Sequence, residues 1–113
     1  MPETGHTWRI EFAAQPTEAP MVREWVSLRL DHPDAAQVAN ELFVSVLSTG
    51  SPRVEMTLST AGRRSRITAA GSIEMSLRHS HGPGFAIVSA LSTLYGLNTD
   101  GLGVWAQLTS EDQ

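Results

Sequence analysis

The chain reads as an α+β domain: a two-layer sandwich with a mostly antiparallel sheet and three helices on one face. Three observations predict this. Apolar residues recur at helical spacing in three separate stretches. Between and around these lie runs that alternate apolar and polar residues, the mark of half-buried strands. Gly62, and Asp100-Gly101, sit between such runs as hairpin turns, and hairpins join antiparallel neighbours. Amphipathic helices must then bury their stripes against one face of the sheet.

The elements follow in order. Met1–His6 is a terminal tail, and Thr7–Phe12 alternates with Trp8, Ile10 and Phe12 on one side. Thr17 is placed to cap a helix that carries Met21, Val22, Trp25, Val26 and Leu28 and runs to about Leu30. His32-Pro33 breaks it, and Asp34 is placed to cap the next helix. That second helix has the clearest stripe: Ala35, Val38, Ala39, Leu42, Phe43, Val46 and Leu47. It should end before Gly50 and Pro52. Arg53–Ser59 is a strand with Val54, Met56 and Leu58 on one face, Thr60–Arg63 the turn, and Arg64–Ala69 the return, with Ile67 its main core residue. Ala70–His81 reads as a loop in which Ile73, Met75 and Leu77 alternate, as a short strand or a lid segment would. A third helix is expected over Gly84–Tyr95, closed by Gly96, and a last hairpin joins Leu97-Asn98 to Val104–Leu108. Residues 109–113 form the other tail.

Composition bounds function. At 113 residues, 41% hydrophobic and 18% charged, one folded domain is expected, spanning the whole chain. Cysteine is absent, so disulfides and thiolate metal sites are excluded. The net charge of −4 argues against nucleic-acid binding. All basic residues are Arg, so neither a P-loop lysine nor a lysine nucleophile exists. The polar Met1–Thr7 lacks an apolar run and no segment reaches transmembrane length, so a cytoplasmic location is expected.

One stretch carries possible chemistry. Gly82-Pro83-Gly84 opens the third helix, and a glycine turn entering a helix presents backbone N–H groups to anions. The same glycines also serve a tight turn and close packing. Glu41 is either a general base or a solvated helix residue. His79 and His81 could chelate a metal, but no third ligand has a fitting spacing, so a plain loop is the better reading. Arg63, Arg64 and Arg66 form either a solvated strand face or a patch for an acidic partner. Ser89, Ser92 and Thr93 have no His–Asp company. Trp8, Trp25 and Trp105 read chiefly as core aromatics; Trp8 or Trp25, if exposed, would suit an interface.

Several strings, in this order and spacing, resemble the histidine-kinase-like ATPase family (the GHKL or Bergerat fold), and within it the small bacterial anti-sigma-factor serine kinases. They are Thr7–Phe12 with Gln15-Pro16-Thr17, Glu41-Leu42-Phe43-Val44-Ser45, Gly82–Leu91 and Val104–Leu108. The resemblance spans nearly the whole chain. It implies an ATP pocket between the second helix, the sheet and a lid. Glu41 matches the family's catalytic glutamate, while Ser45 stands where asparagine holds Mg²⁺. Ser48 and Thr49 replace a basic residue and histidine, Ala69 the aspartate that pairs with adenine, and Leu102-Gly103 a threonine-bearing pair. Gly82, Gly84 and Phe85 remain of the phosphate cradle.

Scaffold kept and chemistry lost points to a degenerate regulatory module without ATP hydrolysis, for which ATP and Mg²⁺ become cofactors only if the pocket still works. Its expected partner is a protein, namely a sigma factor, an anti-anti-sigma-like protein or a DNA-binding regulator. A homodimer is also implied. The alternatives are a working ATP-binding serine/threonine kinase of anti-sigma type, and a domain that binds a small anion or metabolite. Met75, Leu77 and Leu102 are the side chains placed to fill the space left by the missing adenine contacts.

Overall fold

The computed structural model describes residues 5–76 and 84–110. Five strands form one sheet in the order β1-β2-β3-β5-β4, every neighbour antiparallel. They are β1 (Gly5–Ala13), β2 (Arg53–Ala61), β3 (Arg64–Ala70), β4 (Leu94–Leu97) and β5 (Gly103–Thr109). The helices are α1 (Ala19–Ser27), α2 (Ala35–Leu47) and α3 (Phe85–Leu91), with a 3₁₀ turn at Pro16–Glu18 before α1. This is the expected α+β architecture, with its element order intact.

Register and burial show why it is a two-layer sandwich. Met56 lies opposite Ala69, Leu58 opposite Ile67, and Ile67 opposite Ala106. These residues, with Val54, Val104 and Leu108, are buried on one face, since side chains two apart on a strand share a face. Onto that face α2 presents Val38, Ala39, Leu42, Phe43 and Val46, all nearly inaccessible. Phe12 of β1 packs edge-on against Trp25 of α1 and Phe43 of α2, with ring centroids 6.5 and 6.2 Å apart. Those contacts place α1 on the same layer as α2. The opposite face of the sheet carries Arg9, Glu11, Arg53, Glu55, Arg66 and Trp105.

Turn chemistry works as the residues dictate. Gly62 takes φ 62° in the two-residue loop between β2 and β3, and Gly101 takes φ 74° between β4 and β5. The carboxylate of Asp100 accepts the Leu102 N–H at 2.9 Å, which fixes that turn locally.

Four local expectations are corrected. The third helix stops at Leu91, and Ser92 is extended at φ −109°, ψ 145°. Leu94 and Tyr95 instead pair with Gln107 and Ala106 in the sheet. The Thr93 N–H and hydroxyl both donate to the Gln107 carbonyl at 2.9 Å, and these non-local bonds override the local apolar spacing. Gly96 is therefore no helix cap: it lies in β4, where a Cβ would stand 3.2 Å from the Trp105 ring. The first helix ends at Ser27 rather than Leu30. Neither Thr17 nor Asp34 caps a helix through its side chain. The backbone N–H of Asp34 donates to His32 Nδ1 at 3.1 Å, so the loop is held by the histidine.

Core membership is also wider and narrower than periodicity predicts. Ser65 and Ala69 join Ile67 in burial on β3. On β1, Phe12 is buried while Ile10 stays 37% exposed and Trp8 is only partly covered. Trp105 is not a core residue: it lies half-buried on the open face beneath Arg66, whose guanidinium is 4.0 Å from the ring centroid. Its indole N–H donates to the Leu97 carbonyl.

Ser51 is the polar anchor of the sandwich. It is 2% exposed, accepts the Ser72 N–H at 3.1 Å and shares a 3.0 Å hydrogen bond with Thr49. Ser51→Ala leaves the Ser72 N–H without this acceptor, and should lower stability by about 1–2 kcal/mol in urea unfolding. An unchanged denaturation midpoint would show that the bond is replaced by solvent.

Candidate functional site

The resemblance to a nucleotide site names Glu41, Ser45, Ala69, Gly82, Gly84, Phe85 and Gly103. Of these, Gly82 lies outside the described residues, as do Leu77, His79 and His81. The others fall on α2 and on the three elements it contacts, β3, β5 and the start of α3.

Glu41 is half-buried on α2, on the side that meets α3. Its carboxylate accepts Gln37 Nε2 at 2.8 Å and Asn40 Nδ2 at 3.2 Å. The other carboxylate oxygen, Oε1, lies against Gly84, so that a Cβ at Gly84 would collide with it. Gly84 is the residue from which α3 starts. The helix end to which a phosphate would be drawn thus already faces a carboxylate. Partial positive charge there attracts an anion, and Glu41 is one.

One turn beyond, the Ser45 hydroxyl donates to the Glu41 carbonyl at 2.9 Å. Ser48 and Thr49 bond the Ser45 and Val46 carbonyls at 2.6 and 2.7 Å. These three hydroxyls satisfy the end of α2 from within, as Ser and Thr commonly do. Phe85 packs edge-on against Tyr95 of β4 at 5.5 Å, tying the start of α3 to the sheet.

Ala69 and Gly103 meet across the β3–β5 pair. Ala69 is fully buried and its methyl offers no hydrogen-bond acceptor. A Cβ at Gly103 would strike the Ala69 carbonyl and stand 2.8 Å from Ala70 Cα. Glycine is needed there for the strands to approach.

Sequence reasoning did not anticipate the backbone bonds of residues 71–76. Gly71 N–H donates to the Leu102 carbonyl and Met75 N–H to the Gly101 carbonyl, both at 2.8 Å. A Cβ at Gly71 would collide with Ser51, so the chain leaves β3 pressed onto the end of α2. Met75 is 6% exposed and belongs to the core cluster that holds Ala69 and Val46. Leu102 is half-buried. Of Met75 and Leu102, the two of the expected filling side chains that lie among the described residues, Met75 is in the core; the signal was its apolar alternation with Ile73, which stays 41% exposed.

Elsewhere, a cleft of about 700 Å³ opens between the start of α2 and the end of β5, lined by Asp31, His32, Asp34, Leu91, Thr93 and Thr109. No motif foretold it. Among the described residues no cluster of His, Asp and Glu could hold a metal ion, and no helix is long and apolar enough to cross a membrane.

Fold and site together define an α+β sandwich with a self-contacting cluster at the junction of α2, α3, β3 and β5. No family model matches the chain, and no curated protein matches it.

Proposed function

We propose that this protein is a regulatory interaction module on a histidine-kinase-like ATPase scaffold, one that does not use Mg·ATP. Its partner is a transcription-related protein: a sigma factor, an anti-anti-sigma-like protein or a DNA-binding regulator. The observation that carries the reading is the Glu41 carboxylate against Gly84. A phosphate entering there meets a negative charge at short range and must displace it.

The rest of the site supports this. Ser45 would have to break its bond to the Glu41 carbonyl to reach a metal, and its hydroxyl lacks the reach of an amide carbonyl. Ala69 offers adenine no acceptor, and an unpaired exocyclic amine loses both affinity and discrimination. Met75 belongs to the same buried core as Ala69. The residues present do not fit a Mg·nucleotide.

Titration calorimetry with ATP and ADP, with and without Mg²⁺, tests the reading. The expected result is no binding up to about 1 mM nucleotide, and no change in melting temperature. Binding with a Kd of about 10 μM would stabilise the fold by about 2.7 kcal/mol at 1 mM ligand. Such a shift would overturn the proposal and restore the serine-kinase alternative, to be pursued by phosphate transfer to a purified partner.

A further inference from the structure

We infer that the cleft between the start of α2 and the ends of α3 and β5 is a binding site for a small aliphatic polyamine. It lies at the far end of α3 from Gly84, so the inference stands apart from the nucleotide question.

Three segments build the cleft. Asp31, His32 and Asp34 come from the loop into α2, Leu91, Ser92 and Thr93 from the exit of α3, and Thr109 from the end of β5. Its volume of about 700 Å³ falls in the range of small-molecule sites.

The charge in it is negative. Among the described residues the carboxylates of Asp31 and Asp34 make no ion pair, and Asp34 makes no cap bond to α2. His32 Nδ1 accepts the Asp34 N–H at 3.1 Å, so that ring nitrogen carries no proton in this arrangement. Arg64 lies opposite Thr109 in the sheet but does not line the cleft. The chain has no lysine. Two carboxylates without a cation repel an anionic ligand and draw a cationic one.

The hydroxyls of the wall are acceptors. Thr93 gives its proton to the Gln107 carbonyl at 2.9 Å, so in its 3.4 Å contact with Thr109 it is Thr109 that donates. What both hydroxyls have left is lone pairs. Ser92 is a separate and independent sign of a ligand. Its Oγ is buried with no hydrogen-bond partner, alone in this among the described residues. An unpaired buried polar atom costs free energy, and native proteins keep few of them. Turned about χ1 toward the cleft that the residue lines, this hydroxyl accepts a proton from a bound ligand.

An ammonium group is the complement of such a wall: a positive charge, three N–H donors and no acceptor. Two carboxylates suit a ligand with more than one ammonium, and Leu91 and Pro33 give the methylenes between them an apolar surface. No Phe, Tyr or Trp lines the cleft among the described residues, so it lacks a ring on which a base or a quaternary cation would stack.

Titration calorimetry of the whole chain with spermidine tests the site. The expected Kd is about 10–100 μM at low salt, weakening as ionic strength rises. Asp31→Asn and Asp34→Asn should each weaken binding about tenfold. Glu74→Gln makes the same change of charge beside Gly101, at the other end of β5, and should leave the Kd unchanged. Ser92→Ala should weaken binding about threefold without lowering the melting temperature, because its hydroxyl makes no bond in the free protein. No heat up to about 10 mM spermidine overturns the inference. So does native affinity in the aspartate variants or in Ser92→Ala. Equal weakening by Glu74→Gln overturns it too, since it would mark attraction to the chain's net charge of −4. Tetralysine that binds where spermidine does not would assign the cleft to a basic segment of a protein, and the small-ligand site would fall.

Discussion

Phe43→Ala should lower the unfolding free energy by about 3–5 kcal/mol. Phe43 is fully buried on the sheet-facing side of α2 and packs edge-on against Phe12 at 6.2 Å. Removing the ring loses its transfer free energy and leaves a cavity beneath α2, the helix that contacts β2, β3, β5, α1 and α3. A domain of this size is stabilised by about 5–15 kcal/mol in total, so the loss is a large fraction of it. Thermal unfolding should show a fall of roughly 10–20 °C. Val44→Ala, on the same helix but 42% exposed, should stay within about 0.5 kcal/mol. If both variants melt alike, α2 does not sit on the sheet as described.

Gly103→Ala should be the most damaging of the glycine substitutions at the candidate site, costing about 2–3 kcal/mol. The added Cβ meets the Ala69 carbonyl, Ala70 Cα at 2.8 Å and Asn98 Nδ2 at 2.8 Å. The first two are backbone atoms of the neighbouring strand and cannot rotate away, so β3 and β5 must part. Gly84→Ala makes a useful contrast. Its Cβ meets Glu41 Oε1, which can swing aside at the cost of the carboxylate's bonds to Gln37 and Asn40, and it stands 3.1 Å from Glu41 Cβ, a shift of a few tenths of an ångström rather than a parting of strands. That variant should cost about 1 kcal/mol or less. Urea midpoints compared at constant slope give the order; Gly84→Ala costing more than Gly103→Ala would mean that the contact at α3 is tighter than the strand pair.

Both substitutions bear on what the site has become. At Gly103 the resemblance implies a threonine beside the phosphate, whereas this backbone has room for no side chain there. At Gly84 the space for an anion borders a carboxylate of the same chain.

Much of this protein was legible in its residues. The stripe from Ala35 to Leu47 specified α2, and its bounds agree with the sequence because a strong 3.6-residue period leaves no competing conformation. The alternation of Val54, Met56 and Leu58, and the turn residues Gly62 and Asp100-Gly101, specified the hairpins and so the antiparallel sheet. Absence of cysteine and lysine is a fact of composition that no folding step alters.

Other features belonged to the tertiary structure alone. Leu91 and Leu94 fit the i, i+3 spacing of a helix, and only the Thr93 bonds to Gln107 decide that the chain leaves the helix between them. The side of the sheet on which Trp105 lies depends on register with β3, which alternation within one strand cannot reveal. That the Glu41 carboxylate meets Gly84, and that Met75 enters the core, depends on α2, α3 and residues 71–76 converging from separated parts of the chain. Periodicity reports how a segment contacts its surroundings on average. Which atoms it contacts is set by the pairing of strands and helices far apart in sequence, and the chemistry of this site lies in those contacts.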